Sequence, residues 1–353
     1  MQCVAQEKAP LQYKQLSILL TKDKLDEQDI KQLFIWGEQY INRPGILPKD
    51  IDSSILCANK ILNAGIRQHN DSWQGQACMI YSKIFREKGE QTRGREYAQK
   101  AQKIFERTHQ EEFLADAYVE LSRYISYEDD ENLAEAIHEQ EMAVKLYAKT
   151  GNHLKQAQTL TLLADYVIGV PDMYKAIELL HQAEAVYKKI GYTRLGGVYD
   201  LLGLAYRSTG ELSTALDYQL RAIREIEGSG DTTQSLSTAY NGLGMMYYEM
   251  EAFEPSVDAY NKAFAVAEKL KDTVSMQYIT GNLANSYIRL KNGDAALRVL
   301  KREERFFPPS GEKPRVLLQV AMVHAYVAGN KLAAARPYVA GWWKQRKLWT
   351  GMT

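Results

Sequence analysis

Residues Leu202 to Ala222 read LGLAYRSTGELSTALDYQLRA, and residues Leu243 to Ala263 read LGMMYYEMEAFEPSVDAYNKA. The two stretches align without a gap at a shift of 41 residues, which brings Gly203 onto Gly244. Self-similarity at such a period is the sequence signature of a repeat architecture. The chain is therefore expected to consist of repeated units that are about 40 residues long.

A small side chain at the position of Ala215 recurs through the chain at intervals of 39 to 43 residues. The series is Ile51, Gly94, Ala136, Ala176, Ala215, Ser256, Ala296 and Ala335. A second series, seven residues later, reads Ala58, Ala101, Ala143, Ala183, Ala222 and Ala263, and it breaks at Glu303 and Trp342. Because seven residues make two helical turns, both series lie on one stripe of a helix, where small side chains let two helices pack closely.

Each unit is predicted to contain two helices joined by a short polar turn. Apolar residues recur at helical spacing, as in Leu160, Leu163 and Val167, and no stretch shows the alternation of a strand. The first helices end near Phe85, Ile125, Val167, Tyr206, Tyr247, Tyr287 and Tyr326. Turn residues follow them at Gly89, Asp129-Asp130, Pro171-Asp172, Gly210 and Gly293, and Gly151, Gly191 and Gly230 close second helices. These patterns predict an all-α chain with no sheet.

A single helical pair cannot bury its own apolar stripe, so the pairs are expected to stack on one another. About eight pairs fit the chain, and the first and last are degenerate, as terminal repeats with one neighbour are. We expect one elongated repeat array over residues 51–340. Residues 1–50 are expected to supply helices that cap the array, and residues 341–353 form an aromatic and basic tail.

The N-terminal segment is predicted to form two helices, Leu11 to Leu20 and Asp29 to Ile41. A cap of the second helix is expected within Leu25-Asp26-Glu27, and Arg43-Pro44-Gly45 ends this helix. A DNA-reading helix-turn-helix is the alternative. The lysines of this segment are balanced by aspartates and a glutamate, so no basic recognition face is predicted.

The C-terminal tail, Trp342 to Trp349, combines aromatic with basic and amide side chains. One interpretation is a helix that binds a membrane surface or a partner. The favoured interpretation is the second helix of a last repeat that lacks a polar cap. The exposed apolar face of this end is then also a candidate surface for self-association.

Charge and composition exclude several classes of partner. Lys+Arg and Asp+Glu both number 44, so no net field favours nucleic acid or an anionic membrane. The most apolar stretch, Val316 to Gly329, is too short to cross a membrane, and no membrane insertion is expected. Cys57 and Cys78 are expected to be core residues. The segment from Cys3 to Gln6 is similar to the end of a secretory signal, so the expected location is cytoplasmic, or periplasmic if an upstream signal is missing.

No pattern of catalytic chemistry emerges from the sequence. The six histidines never fall at the spacing that puts two on one metal-binding face. There is no phosphate-binding glycine loop and no nucleophile elbow. Acidic clusters such as Glu128 to Glu131 lie at turns and helix starts, where solvation and the helix dipole account for them. We therefore expect no enzymatic activity, no cofactor and no bound metal.

The motif Leu202-Gly203-x-x-Tyr206, with Ala215 and Ala222, resembles the consensus of the tetratricopeptide repeat (TPR). The resemblance covers most of residues 51 to 340. It implies a right-handed superhelical α-solenoid of about eight stacked helix-turn-helix repeats. The long units further resemble the TPR arrays of bacterial sensor kinases and regulators, and this implies the sensing of a ligand or partner.

In this family the first helices line a concave groove, where asparagines often hold the backbone of an extended peptide. By alignment on Leu243, the resemblance predicts a groove site made of Asn241, Tyr248, Asn282, Asn285, Arg207 and Arg289. An amide donates and accepts at once, which suits a main chain, while the arginines could select a carboxylate. Tyr278 is a further aromatic candidate. The alternative for the asparagines is bonding to neighbouring helices or to water.

The sequence therefore favours a scaffold that binds a protein or peptide, as a sensing or adaptor module of bacterial signalling. The second hypothesis is a structural assembly protein that joins subunits through the edges of the solenoid and has no peptide groove. The identity of the partner is not encoded in a recognisable motif, because the repeat fixes the shape and only a few groove residues fix the ligand.

Overall fold

The computed structural model describes residues 15–43, 45–124, 130–168, 172–230, 233–306 and 312–339. These residues are largely helical and contain no strand. The chain divides into two compact units, one made of Met1–Gly169 with Ala185–Ile190 and one of Val170–Glu184 with Gly191–Thr353. None of the helices in the described part of the chain is long and apolar enough to span a bilayer.

The first unit contains helices α1 to α8. They are α1 (15–21), α2 (Glu27–Ile41), α3 (Pro48–Arg67), α4 (Asp71–Glu87), α5 (Gln91–Arg107), α6 (Glu111–Leu121), α7 (Asp130–Thr150) and α8 (His153–Ile168). Within this unit α2 packs on α3, α4 on α5 and α6 on α7. The helix predicted to end at Ile41 is thus the first helix of the first pair. Its predicted cap is confirmed, because Asp26 and Asp29 form a reciprocal capping box.

The second unit begins with most of α9 (Met173–Lys189), whose last residues belong to the first unit. It continues with α10 (Gly196–Ser208), α11 (Leu212–Gly228), α12 (Gln234–Glu249), α13 (Phe253–Leu270), α14 (Thr273–Arg289), α15 (Gly293–Phe306), α16 (Glu312–Ala328) and α17 (332–339). Here α10 pairs with α11, α12 with α13 and α14 with α15. The predicted all-α fold of helix-turn-helix repeats is confirmed.

The small residues mark the tightest packing in the described repeats. Ala215, Ala222 and Ala263 are fully buried, as is Ser256. On the facing helix, a Cβ at Gly244 would lie 2.6 Å from the Tyr260 ring. Glycine in the first helix and a small residue in the second therefore let the two helices of a pair approach within contact distance, as the two series predict.

The alignment of the first unit is wrong by three residues. Ser54 rather than Ile51 holds the small-residue position, because its hydroxyl donates to the carbonyl of Gly37 at 3.0 Å. Ser256 makes the same bond to Gly244 at 2.9 Å. The turn between α2 and α3 is longer than the turns inside the pairs α4–α5, α10–α11 and α12–α13, which shifts the register.

The turns contain a residue with left-handed backbone conformation, as the glycine pattern predicts at Gly89 (φ 75°) and Gly210 (φ 85°). Gly293 was expected in a turn as well, and this expectation is wrong, since Gly293 is the first residue of α15. The left-handed residue there is Lys291 (φ 56°). The predicted helix ends and turns at Ile125, Asp129 and Pro171 lie outside the described residues, as do Leu11 and the tail from Trp342 to Trp349.

The interior of each unit is apolar, and the two described buried cysteines belong to it. Cys57 is fully buried among Trp36, Ile61 and Ile80. Burial raises the pKa of the Cys57 thiol to about 12 and that of Cys78 to about 11. Both are therefore unreactive core thiols near neutral pH, as predicted.

Candidate functional site

The six residues predicted to line a groove all lie on the first helices of the second unit. Arg207 lies on α10, Asn241 and Tyr248 on α12, and Asn282, Asn285 and Arg289 on α14. Asn285 and Arg289 are exposed, and the other four are half-buried. These side chains are therefore distributed over three first helices of one unit.

Two of the three asparagines contact each other. The Asn282 amide donates to Oδ1 of Asn241 at 3.1 Å, which joins α14 to α12. The Asn241 amide in turn approaches Sδ of Met245 at 3.6 Å. The bond between Asn282 and Asn241 therefore occupies one amide donor and one acceptor within the protein. Asn285, one turn beyond Asn282, is exposed, and its amide can offer both a donor and an acceptor to a ligand.

Both arginines of the predicted site have carboxylate partners within the unit. Arg207 donates to Glu249 at 2.5 Å, and Arg289 donates to Glu251 at 3.4 Å. The Arg289 guanidinium also lies 4.5 Å above the Phe253 ring. A ligand carboxylate would compete with Glu249 and Glu251 for these cations.

Large apolar side chains are exposed on α14 and α16. Tyr278 is 64% exposed, Val274, one turn before it, is 78% exposed, and Leu317 is 62% exposed. Tyr278 and Leu317 occupy the same position of successive repeats, 39 residues apart. The first helices α14 and α16 thus carry exposed apolar side chains, and Tyr278 lies on the same face of α14 as Asn285, two turns before it.

Aspartate 200 occupies the α10 position that corresponds to Asn241. It accepts a hydrogen bond from the Gln219 amide at 2.6 Å, and Gln219 also donates to the carbonyl of Ala239. Burial raises the pKa of Asp200 to about 6, although the Gln219 bond opposes the shift. Its contact with Gln219 makes Asp200 part of the packing between repeats.

A cleft lies in the first unit, along the first helices α2, α4 and α6 and the start of α8. Its larger part has a volume of about 830 Å³ and is lined by Phe34, Ile35 and Phe113 together with charged residues. A smaller part of about 290 Å³ shares Phe34, Asp116 and Lys155 with it. We call the two parts together the first-unit cleft.

Ion pairs cross the smaller part of the first-unit cleft. Glu120, 2% exposed, receives two bonds from Arg86 at 2.8 and 2.9 Å. Lys83 donates to Glu38, while Lys155 donates to both oxygens of Asp116 at 2.8 and 2.9 Å. These pairs join α2, α4, α6 and α8 of the unit.

Burial and the neighbouring charges shift the pKa values of Lys83 and Glu120 in opposite directions. Burial opposes the charge of Lys83, but the carboxylates of Glu38 and Glu120 outweigh it, and the pKa of Lys83 is raised. Burial raises the pKa of Glu120, against the effect of Arg86 and Lys83. Lys83 therefore remains a cation inside the cleft. In the described part of the chain, no three His, Cys, Asp or Glu side chains converge on a common point as metal ligands would.

Residues 194–269 match the family model of the tetratricopeptide repeat. These residues carry tetratricopeptide repeats. No curated protein matches the chain in sequence. The solved structures that it resembles share its fold at low identity.

One such structure is the Signal Transduction ATPase with Numerous Domains (STAND) protein with a tetratricopeptide repeat sensor from Pyrococcus horikoshii. The TM-score is 0.64 at 15% identity, over 97% of this chain and 54% of that one. The apo form of RapI gives a TM-score of 0.59 at 11% identity, over 89% of this chain and 99% of that one. A Rap protein complexed with Competence and Sporulation Factor gives 0.57 at 12% identity, over 97% and 93%.

The repeat alignment did not single out the charged residues of the first-unit cleft. Lys83 and Arg123 line this cleft, and together with Asp165, which lies outside its lining, they occupy the repeat position of Met245, at intervals of 40 and 42 residues along the chain. A charged residue that recurs at one position of successive repeat units was a detectable signal. Glu38 was not detectable in this way, because the longer turn after α2 shifts the register of the first repeat.

Proposed function

We propose that this protein binds other proteins, and that it holds an extended segment of its partner along the first helices of the second unit. The observation that carries the proposal is that the exposed Asn285 amide and the exposed Tyr278 share one face of α14, two turns apart, on a helix whose Asn282 is already bonded to the neighbouring first helix. Together they offer main-chain hydrogen bonds and an aromatic surface.

The proposed contacts divide into fixed and adjustable groups. The Asn241–Asn282 bond holds two first helices in register and orients the amide of Asn282. Asn285 is then free to bond the partner main chain, and Tyr278 with Val274 and Leu317 covers its apolar side chains. Arg207 and Arg289 exchange their glutamate partners for an acidic group of the ligand.

A sensing role in signalling extends this proposal. One similar structure is described as a sensor and another as a complex with Competence and Sporulation Factor, and both statements concern those proteins. Binding of a partner segment across several repeats would fix their relative positions, which is a physical means of reporting the ligand. We propose that this chain acts in this way in a bacterial signalling system.

The test compares wild type with an Asn241→Ala, Asn282→Ala, Asn285→Ala triple variant as immobilised bait in a native lysate. The matched control is Asn261→Ala, which removes an exposed amide from the second helix α13 of the same unit. We expect the triple variant to retain at least about tenfold less of a specific partner, a loss that corresponds to about 1.4 kcal/mol. The control is expected to retain it fully, with equal helicity by circular dichroism for all three proteins.

The second candidate is a structural assembly protein without a peptide groove. It is favoured by the internal partners of Asn241, Arg207 and Arg289, since groups already bonded are costly to redirect. In that case the triple variant and the wild type capture the same proteins. Loss of a partner from the triple variant, but not from the control, supports binding in the groove. Equal capture by the triple variant and wild type would indicate that partners bind at the edges of the repeats.

A further inference from the structure

A pocket of about 670 Å³ lies in the second unit, and its lining includes none of the asparagines of the proposed groove. Three of its lining residues are arginines, Arg194, Arg221 and Arg224, and its one carboxylate is Glu225. A volume of this size is typical of sites that bind small ligands. We call it the arginine pocket.

Two elements of the chain form the arginine pocket. Thr193 and Arg194 lie in the connector between α9 and α10. Arg221 and Arg224 lie on the second helix α11, and because they are three residues apart they share one face of that helix. Gly228, one turn further along the same face, has no atom within 4 Å of a built Cβ. The pocket therefore has open space beside its arginines.

The arginines of the pocket differ in their partners. Arg221 is bonded to Asp217 at 2.7 Å, and its guanidinium lies 5.3 Å from the centroid of the Tyr218 ring, so its position is fixed from two sides. Neither Arg194 nor Arg224 has a carboxylate within 4.0 Å among the described residues. Two exposed guanidinium groups thus keep all their donors for a ligand.

Stacking of the repeats does not require these two cations. At the shift of 41 residues that aligns this repeat with the next one, Arg194 corresponds to Ser235 and Arg224 to Ala265. The next repeat forms the same helical pair with a hydroxyl and a methyl group in their places. The pair of arginines is therefore particular to one repeat.

The charges around the pocket leave a positive excess. The lining holds three arginines and one carboxylate, Glu225. Asp217, which is bonded to Arg221 from outside the lining, reduces the excess to one positive charge. Glu225 has no cation within 4.0 Å among the described residues, so it does not neutralise Arg224 through a direct bond. An anion in the pocket would complete the pairing of the cations.

We propose that the arginine pocket binds a phosphate monoester. Arg194 and Arg224 each offer a planar fork of N–H donors to the phosphate oxygens, and the exposed Thr193 hydroxyl can add a further donor. A phosphate monoester has three acceptor oxygens and about two negative charges near neutral pH, whereas a carboxylate has two oxygens and one charge. It therefore suits two unpaired guanidinium groups better than a carboxylate does. The rest of the pocket volume admits the group that carries the phosphate.

The test is isothermal titration calorimetry of the full chain at low ionic strength. The ligands are inorganic phosphate, glycerol phosphate, an N-acetylated and amidated peptide with a phosphoserine, and the same peptide with serine. We expect a phosphate monoester to bind at least about tenfold more tightly than the serine peptide, since charge-assisted hydrogen bonds are the strong ones. Tighter binding of glycerol phosphate identifies a small phosphorylated molecule as the ligand, and tighter binding of the phosphopeptide identifies a phosphorylated side chain.

Two neighbouring residues of α11 should change the affinity in opposite directions. Arg224→Gln removes a phosphate ligand and should weaken binding about tenfold. Glu225→Gln removes a negative charge beside the bound anion and should strengthen binding about twofold. The matched control is Arg302→Gln, which removes an exposed arginine of the second helix α15 that pairs with Glu268 outside the pocket. The control should bind as wild type does.

The proposal is wrong if neither monoester binds more tightly than the serine peptide and inorganic phosphate, or if Arg224→Gln binds as tightly as Arg302→Gln. The triple asparagine variant separates this site from the proposed function, because its three substitutions lie on first helices outside the pocket lining. It should bind the monoester as wild type does. Loss of binding in the triple variant but not in Arg224→Gln would also refute the site.

Discussion

A single methyl group at Gly293 is predicted to disrupt the contact between α15 and α16. A Cβ at this position would lie 2.2 Å from the carbonyl oxygen of Ala325, 2.3 Å from the Gly329 nitrogen and 2.6 Å from its Cα, whereas ordinary contact begins at 3.4 Å. All three are main-chain atoms, so no side-chain rotation removes the overlap. The two helices must separate by about 1 Å, which loses dispersion contacts along their interface.

The change in the free energy of unfolding expected for Gly293→Ala follows from two opposing effects. Overpacking typically costs about 1–3 kcal/mol, and alanine's better helix propensity returns less than about 1 kcal/mol. Because the overlap is with backbone, we expect Gly293→Ala to destabilise the second unit by about 2 kcal/mol. Gly281, within α14, has no atom within 4 Å of a built Cβ. There only the propensity effect remains, and Gly281→Ala should stabilise by about 0.5–1 kcal/mol.

The assay is urea unfolding followed by circular dichroism, with hydrogen exchange of peptides from α15 and α16 as a local readout. The local readout is needed because repeat arrays can unfold in parts, which blurs one global transition. Gly293→Ala should accelerate exchange in α15 and α16 and lower the unfolding midpoint, while Gly281→Ala should raise the midpoint. An unchanged midpoint and unchanged exchange for Gly293→Ala would refute the packing argument.

Two further predictions concern buried charge. Glu120→Gln removes the buried anion of Arg86, which then keeps only the more distant Glu87 at 3.6 Å, and should cost about 3 kcal/mol in urea unfolding. Arg107→Gln, which removes an exposed pair, should cost less than about 1 kcal/mol, and equal costs would contradict the burial argument. Burial raises the pKa of Glu303 to about 7, so the folded protein binds the proton of this carboxyl group more tightly than the unfolded chain does. The stability that this proton contributes is present below pH 4.5 and is lost as the pH rises to about 7. The Glu303→Ala protein should therefore unfold at a higher urea concentration than wild type at pH 8, and its unfolding midpoint should depend less on pH between pH 4.5 and 7. The control is Glu304→Ala, which changes the exposed neighbour. If the pH profile of Glu303→Ala is unchanged, Glu303 is not the cause of the pH dependence of stability.

The regular part of the fold was predictable because it rests on local spacing. Ala215, Ala222 and Ala263 repeat where helices must touch, and the structure buries each of them completely. Irregular places were not predictable in this way. The longer turn between α2 and α3 moved the small-residue position from Ile51 to Ser54, and Gly293 serves a helix contact rather than a turn.

For the candidate groove, the sequence predicted on which helices its residues lie, but not the bonds that their side chains make. The alignment placed Asn241 and Asn282 on neighbouring first helices, and the structure confirms that placement. It could not show that the two amides bond to each other, or that Arg207 and Arg289 meet Glu249 and Glu251. Such pairings depend on side-chain geometry between helices that lie about 40 residues apart in sequence.

The repeated contact of Gly244 with Tyr260, and of Gly203 with Gln219, has a consequence for how this chain can change in length. Both contacts join the two helices of one pair through the same positions, so a whole pair can be duplicated or deleted as one unit and its neighbours still meet an equivalent pair. Insertion of a single helix would instead place a first helix where a second helix belongs, and the position that packs on the glycine would be missing. Growth by whole helical pairs within the second unit is therefore the tolerated route of insertion and deletion for this protein.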